Sequence, residues 1–239
     1  MKNLIKGFIK IILSPLILSD YFKFKSDGSS RFSLHLSDLH PQVFDKTIKT
    51  NFDRHYIYHT AWAARKLAQI SPEFHVDISS SLYFSGIASA FMPIKFYDYR
   101  PAELFLSNFE SKQADLLSLP FPDNSVKSIS CMHTVEHVGL GRYGDKIDPD
   151  GDLKAMAELK RVLAFSGNLL FVVPVGRPRV EFNAHRIYSY NQIISNFKGC
   201  VLKEFLLIPE KNGMPVLGAS AEAVSKEKYA CGCFWFIKK

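Results

Sequence analysis

From residue 53 onward, short apolar runs that stop at polar residues alternate with longer stretches of helical spacing. This alternation limits the possible folds more than any other feature of the chain. The runs are FHVDI (74–78), IKFYD (94–98), VKSISCM (126–132) and NLLFVVP (168–174), with a shorter one closing at Asp115 in SKQAD. Between them, RHYIYHTAWAARKLAQI (54–70) spaces Ile57, Ala61, Ala64 and Leu67 along one helical face and is stopped by Ser71-Pro72. LYFSGIASAF (82–91) predicts a second helix, and DLKAMAELKRVLA (152–164) a third that ends near Gly167. A further helix is expected near 189–197, followed by strands at VLKEFLLI (201–208) and YACGCFWFI (229–237). Strands that alternate with helices predict a parallel, doubly wound α/β sheet with a mixed far edge. NLLFVVP, continuously apolar and ended by proline, reads as its centre.

The first 50 residues are of another kind. MKNLIKGFIKIILSPLILSDYFKF carries Leu4, Phe8, Ile11 and Ile12 at helical spacing with lysines between them. It lacks a small-residue cleavage site, and Lys6, Lys10 and Pro15 interrupt it too soon for a confident membrane span. A cationic amphipathic helix of this kind lies on a membrane surface, against a partner or on its own domain, and periodicity does not choose among these. Residues 26–51 are polar and rich in turn formers, as a connector would be. The sequence therefore predicts an arm and connector at 1–50 and one domain at 51–239. If the helix lies on a membrane, the peripheral contact is through residues 1–18.

With 47% apolar residues the chain can fill a large core, and global disorder is excluded. The net charge of +7 is spread over scattered lysines with no basic stripe interleaved with aromatics, so nucleic acid is not an expected partner. Cys131, Cys200, Cys231 and Cys233 form no C-x-x-C pair, which fits a reducing, cytoplasmic setting better than a disulfide framework. No metal site is expected.

Open α/β sheets bind ligands outside the carboxyl ends of their strands. The first strand runs into Asp77-Ile-Ser79-Ser80-Ser81. The second ends at Asp98-Tyr99, and Asp98 follows Asp77 by roughly the 20 residues at which a carboxylate accepts from ribose hydroxyls. The third ends at Asp115-Leu116 and the fourth at MHTVEH. A strand-ending aspartate alone is often only a cap. Several successive strand ends with polar groups in this order match the spacing of class I S-adenosylmethionine (SAM) dependent methyltransferases. NAD-binding domains fit less well, because G-x-G-x-x-G is absent.

DLLSLPFPDNSVKSISCMHTVEHVGLGRYGDKIDPDGDLKAMAELKRVL, continued by VVPVGRPRVEFNAHRIYSYNQI, resembles a family of class I methyltransferase-like proteins catalogued as domain of unknown function family 268. Some of its members lie among bacterial surface-polysaccharide genes. The resemblance spans roughly 52–237 and is most distinctive from Leu119 to Tyr188. It implies a Rossmann-like fold with a seven-stranded, mostly parallel sheet, SAM as cofactor, and O-methylation of a small or glycan-related acceptor. It assigns the cofactor loop to 77–81, the ribose contact to Asp98, the adenine side to Asp115 and Leu116, and a place near the cofactor to His133. The family tends to have Gly-Ser-Ser in that loop, so Ser79 is the departure. Whether it adopts a glycine's backbone shape decides the quality of the site.

HTVEHVGLGRYGD (133–145) is the richest segment chemically. Methyl transfer to a hydroxyl requires in-line alignment and removal of a proton, and histidine suits proton removal near neutral pH. His137, His133 and His185 are the candidate bases, with Glu136 beside them. Tyr143, Arg142 and Asp145 sit on the loop expected over the substrate. GRPRVEFNAHRIY (176–188) is expected as a second loop, with Arg179, Asn183 and Arg186 placed to hold an anionic or sugar-like acceptor. Each of these residues can equally be a turn or loop former. H-x-x-E-H also spells the inverted zincin pattern. A zinc hydrolase on that pattern needs a stable helix through 133–137, against which Gly139 and Gly141 argue. A methyltransferase-like protein that has lost catalysis is the remaining alternative, motivated by the serine-rich loop.

Overall fold

The structure, a computed structural model, describes residues 2–28 and 31–239, with side chains from residue 15 onward. The chain divides into two compact units, Met1–Phe52 and Asp53–Lys239. In the first, helix α1 (Lys2–Asp27) runs through Pro15 and is followed by irregular chain with one 3-10 turn at Leu36–Asp38. The Tyr21 hydroxyl donates to the Leu34 carbonyl at 3.4 Å, and Lys46 pairs with Asp20 at 3.3 Å. The expected amphipathic face through Leu4, Phe8, Ile11 and Ile12 lies outside the described side chains. Among the described residues no helix is long and apolar enough to cross a membrane.

The second unit contains, in order, α2 (Arg54–Ile70), β1 (His75–Ile78), α3 (Leu82–Ala88), β2 (Ile94–Asp98), β3 (Phe109–Gln113), β4 (Val126–Met132), α4 (Gly151–Val162) and β5 (Leu163–Val175). Then come β6 (Arg179–Glu181), β7 (His185–Ile187), α5 (Tyr190–Asn196), β8 (Cys200–Ile208), β9 (Val216–Leu217), α6 (Ala221–Lys226) and β10 (Ala230–Lys238). The main sheet has the order β3-β2-β1-β4-β5-β10-β8-β9. The pairings from β3 across to β5 are parallel, and β10 runs antiparallel to both β5 and β8. The eighth strand, beyond the seven expected, is the two-residue edge strand β9. β6 and β7 form a separate antiparallel hairpin where a plain loop was expected.

Side chains alternate across the strands, so the sheet has two cores. Leu169, Phe171, Val173 and Val175 of β5 face one with α4 and α5, while Leu170 and Val172 face the other with Trp62 and Leu67 of α2. Asp53 caps α2 by accepting from the Tyr56 amide at 3.0 Å. The buried face of α2 shares only Leu67 with the expected one. It carries His55, His59, Trp62, Ala63 and Leu67, while Ile57 is exposed. Trp62 Nε1 donates to Glu204 at 2.8 Å, and Lys66 pairs with the same carboxylate at 2.6 Å, which fixes the rotation of the helix on β8.

Two element boundaries also differ from expectation. β3 ends at Gln113, and Asp115 sits in a tight bridge with Ser118 beyond it. α4 gives way to β5 at Leu163 with no intervening loop. The register of β5 against β4 jumps between Val126 and Ser128, and the extra residues are taken up near Ser166, whose φ is 59°. A bulge of this kind lets a strand continue through a bend, which an apolar pattern does not encode.

Candidate active site

β1 sits between β2 and β4, so the connections leave it in opposite directions and open a crevice at the strands' carboxyl ends. A cavity of about 380 Å³ occupies that crevice, lined among others by Ser79, Asp98, Asp115, Thr134, His137 and Tyr143. Its size is that of a small-molecule site.

Ser79 follows β1 with φ 53°, the left-handed conformation for which a glycine is usual. Its amide donates to the Tyr97 carbonyl at 2.8 Å and its hydroxyl to the same oxygen at 3.2 Å. Thr134 Oγ1 donates to the Ser79 carbonyl at 3.0 Å, which ties the loops after β1 and β4 together. Asp98, at the end of β2, accepts from the Arg100 amide through Oδ1 at 2.7 Å. That bond orients the carboxylate and leaves Oδ2 for a ligand. Asp115 accepts from the Leu117 amide at 2.8 Å, and Tyr99 and Leu116 line the same wall.

The segment after the 3-10 turn Val135–His137 closes the other side. Gly139 has φ 79°, and a Cβ there would stand 2.1 Å from the Asp148 carbonyl oxygen, so only glycine fits. Asp145 gathers the loop, accepting from the amides of Gly139 at 2.7 Å, Gly141 at 3.3 Å and Tyr143 at 3.2 Å. Burial alone would raise its carboxyl, but these donors outweigh it and hold Asp145 below the usual range. Arg100 and Arg142 lie over the Tyr143 ring at 4.9 and 5.1 Å.

His137 and His133 have different surroundings. His137 Nδ1 lies 2.6 Å from the Ala184 carbonyl. A carbonyl only accepts, so Nδ1 carries the proton and Nε2 is the basic atom. Burial keeps this imidazole below the usual histidine value, with Arg142 and His185 acting in the same direction. His133 Nδ1 donates to Glu136 at 2.9 Å. Burial disfavours its charged form, yet Cys231 and Glu136 together push it up to about 10. His133 is therefore poorly suited to take a proton from a substrate at neutral pH, and Glu136 is engaged in holding it. The inverted zincin arrangement is not formed: a 3-10 turn replaces the helix it needs, and the two histidines are held by different partners.

Several expected residues support the site without lining the cavity. Asp77 is fully buried, accepting from Ser130 at 2.5 Å and from Ser85. His75 extends this network, with Nε2 and Nδ1 each 2.8 Å from the hydroxyls of Ser130 and Ser128. Desolvation pushes Asp77 up to about 6 and His75 down to about 3. Ser80 accepts from the Met132 amide at 3.1 Å, and Ser80 and Ser81 line a neighbouring shallow cleft with Tyr56. Arg142 donates to the Ala184 carbonyl at 3.0 Å. Arg179 pairs with Glu181 at 2.6 Å, and buried Arg186 donates to the Val138 carbonyl at 2.6 Å, so both brace the hairpin and loop. His185 lies 3.4 Å from Glu181, and Asn183 is at the hairpin turn between β6 and β7. None of these hairpin residues lines the cavity.

The sequence reading overlooked Arg100, Thr134 and Lys146 on the cavity wall. It also overlooked the aromatic cluster of His55, His59, Tyr56 and Tyr229 behind His133. The pair His55/His59, four apart on one helix, was the available signal.

A family model described as Caenorhabditis protein of unknown function, DUF268, matches residues 122–204. No curated protein matches the chain by sequence. Among solved structures, the YcgJ protein from Bacillus subtilis superposes with a TM-score of 0.54 at 17% identity, over 77% of this chain and 99% of that one. A putative sarcosine dimethylglycine methyltransferase from Galdieria sulphuraria gives 0.53 at 14% identity, over 75% and 85%. The N-methyltransferase NodS from Bradyrhizobium japonicum, solved with S-adenosylhomocysteine, gives 0.51 at 14% identity, over 77% and 86%. At these identities the likeness is one of fold, and the fold is the Rossmann-like one of class I methyltransferases.

Proposed function

We propose that this protein transfers a methyl group from SAM to a hydroxyl of a small or glycan-related acceptor. The observation that carries the reading is the convergence of Ser79, Asp98 and His137 on one cavity at the carboxyl ends of β1, β2 and β4. A role in surface-polysaccharide biosynthesis is the most concrete version and is supported by the family resemblance alone.

The residues present fit the cofactor. Asp98 offers a free carboxylate oxygen where ribose hydroxyls are expected, and Ser79 already has the backbone shape of the glycine it replaces. Asp98, Asp115, Asp145 and Asp148 line the cavity against Arg100 and Lys146, a lining with an excess of carboxylates that suits a sulfonium cation. SAM supplies an electrophilic methyl carbon. The chain's contribution is to bind, orient and deprotonate. Tyr143, steadied by Arg100 and Arg142, forms a wall against which an acceptor ring packs. His137, with its proton fixed on Nδ1, accepts the acceptor's hydroxyl proton on Nε2. Removing that proton makes the oxygen a competent nucleophile for in-line displacement.

Calorimetric titration of the folded protein with S-adenosylhomocysteine tests the first step. Saturable binding that is lost in Asp98→Ala supports the reading. No heat at millimolar ligand overturns it.

A further inference from the structure

We propose that His59, His133 and Cys231 form a zinc-binding site behind the cofactor cavity. His59 comes from α2, His133 follows β4, and Cys231 lies near the start of β10. Their His59 and His133 nitrogens and the Cys231 sulfur lie within 4.8 Å of one another. His59 and Cys231 are fully buried, and the His133 side chain is 6% exposed.

The hydrogen bonding around the two imidazoles leaves a gap that a cation fills. His59 Nδ1 lies 2.6 Å from the His55 carbonyl, so its proton is on Nδ1. His133 Nδ1 is directed at Glu136 in the same way. In the neutral form that a metal ion selects, each ring presents its Nε2 lone pair, and among the described residues neither Nε2 meets a partner with hydrogen-bond geometry. Leaving one buried polar atom unpaired is costly, and here two lie together with a thiol beside them. A proton between His133 and Cys231 would satisfy one nitrogen and leave that of His59 unpaired. A metal ion satisfies both and takes the sulfur as thiolate.

The surroundings are those of a metal site. A carboxylate and a backbone carbonyl on the outer nitrogens fix the tautomers and make the inner nitrogens better ligands. His133 is held at φ 56°, a left-handed conformation uncommon for its type, at the end of a strand. Two imidazoles and a thiolate are borderline-soft donors that favour zinc over calcium or magnesium. Ordinary zinc bond lengths place tetrahedral donors about 3.3–3.6 Å apart, so the side chains must draw in by roughly 1 Å. The ion would pin α2 and β10 to the turn that carries the cavity wall, with its fourth position left open.

The test uses the full untagged chain, purified without chelator. Elemental analysis should find about one zinc per chain. Replacement by cobalt(II) should give a near-ultraviolet thiolate-to-metal band and intense visible bands of tetrahedral type. Cys231→Ser should abolish the near-ultraviolet band with the far-ultraviolet circular dichroism unchanged, whereas Cys233→Ser should retain it. Folded wild-type protein that neither carries zinc nor develops a thiolate band with added cobalt(II) overturns the proposal. Loss of the band in Cys233→Ser with retention in Cys231→Ser overturns the ligand assignment. Because the readouts are metal content and spectrum, they are independent of whether SAM binds.

Discussion

His137 holds its Nδ1 2.6 Å from the carbonyl oxygen of Ala184, so the hairpin β6–β7 sets the tautomer of the residue best placed to act as base. His137→Gln should lower methyl transfer by about 10²–10⁴-fold and leave S-adenosylhomocysteine affinity within a few-fold of wild type. Burial keeps His137 below the usual histidine value, so the neutral form persists at mildly acidic pH. The pH profile of kcat/KM should therefore be flat through neutrality and fall only on the acid side, below the range of a free histidine. A variant that loses ligand affinity as steeply as activity would assign His137 to binding instead.

In the proposed function Asp98 is the ribose contact. With one oxygen held by the Arg100 amide, the other is left, among the described residues, to accept from a ligand. Asp98→Ala should weaken S-adenosylhomocysteine binding by about 10–100-fold, the usual effect of losing hydrogen bonds to a charged group. Calorimetry on both proteins reads this directly. An unchanged affinity would place the ribose elsewhere in the cavity.

Asp77 gives a stability signature that is independent of activity. Its carboxyl is pushed up to about 6 by burial, against the pull of Ser130, Ser80 and Ser85, while the unfolded value is 3.8. The native state thus binds more protons than the unfolded state between those values. Stability lost through Asp77 grows as pH rises across that window and is complete above about 6. Relative to Asp77→Asn, wild type should lose roughly 3 kcal/mol between pH 4 and pH 7, as an order of magnitude from the size of the shift. His75, lowered to about 3, contributes the opposite slope in both proteins and largely cancels in the difference. Urea denaturation at several pH values measures it. A flat difference would mean that the serine hydroxyls stabilise the carboxylate enough to offset its burial.

Most of the parallel half of the sheet was legible because β1, β2, β4 and β5 are apolar runs with their own stops, whereas β3, Phe-Glu-Ser-Lys-Gln, is polar and ends two residues before the expected Asp115. The cavity followed from those stops: Asp98 and Asp115 were visible as strand-ending acids, and Ser79 as a residue in a glycine's place. What was illegible has a common physical cause. Strand alternation turns Asp77 inward, toward Ser85 and Ser130, so an acid at a strand end became a core residue. The expected α2 stripe of Ile57, Ala61, Ala64 and Leu67 holds only at Leu67, because histidine counts as polar in such a pattern, yet His55 and His59 take buried positions. Arg179 and Arg186 looked like anion ligands in a loop, but the hairpin pairs them with Glu181 and with backbone carbonyls. For Asp77, the α2 histidines and Arg186 a partner distant in sequence decided where the polar side chain points, whereas Arg179 is turned by Glu181, only two residues away, through the pairing of the hairpin.

Ser79 tests whether the loop after β1 is compromised by lacking glycine. Its φ of 53° carries the left-handed penalty of about 1–2 kcal/mol for a residue with a Cβ, offset in part by the bond from its hydroxyl to the Tyr97 carbonyl. Ser79→Gly removes both the penalty and that bond, so stability should be unchanged or rise by up to about 1 kcal/mol. Ser79→Ala keeps the penalty and loses the bond, for a loss of about 0.5–1.5 kcal/mol. Ser79→Val, β-branched in the left-handed region, should be the least stable of the series. Because the serine already has the glycine's conformation, S-adenosylhomocysteine affinity should be the same in Ser79→Gly as in wild type. A gain in affinity with no gain in stability would show that the hydroxyl or its Cβ obstructs the ligand, and that the loop binds SAM less well than its backbone shape implies.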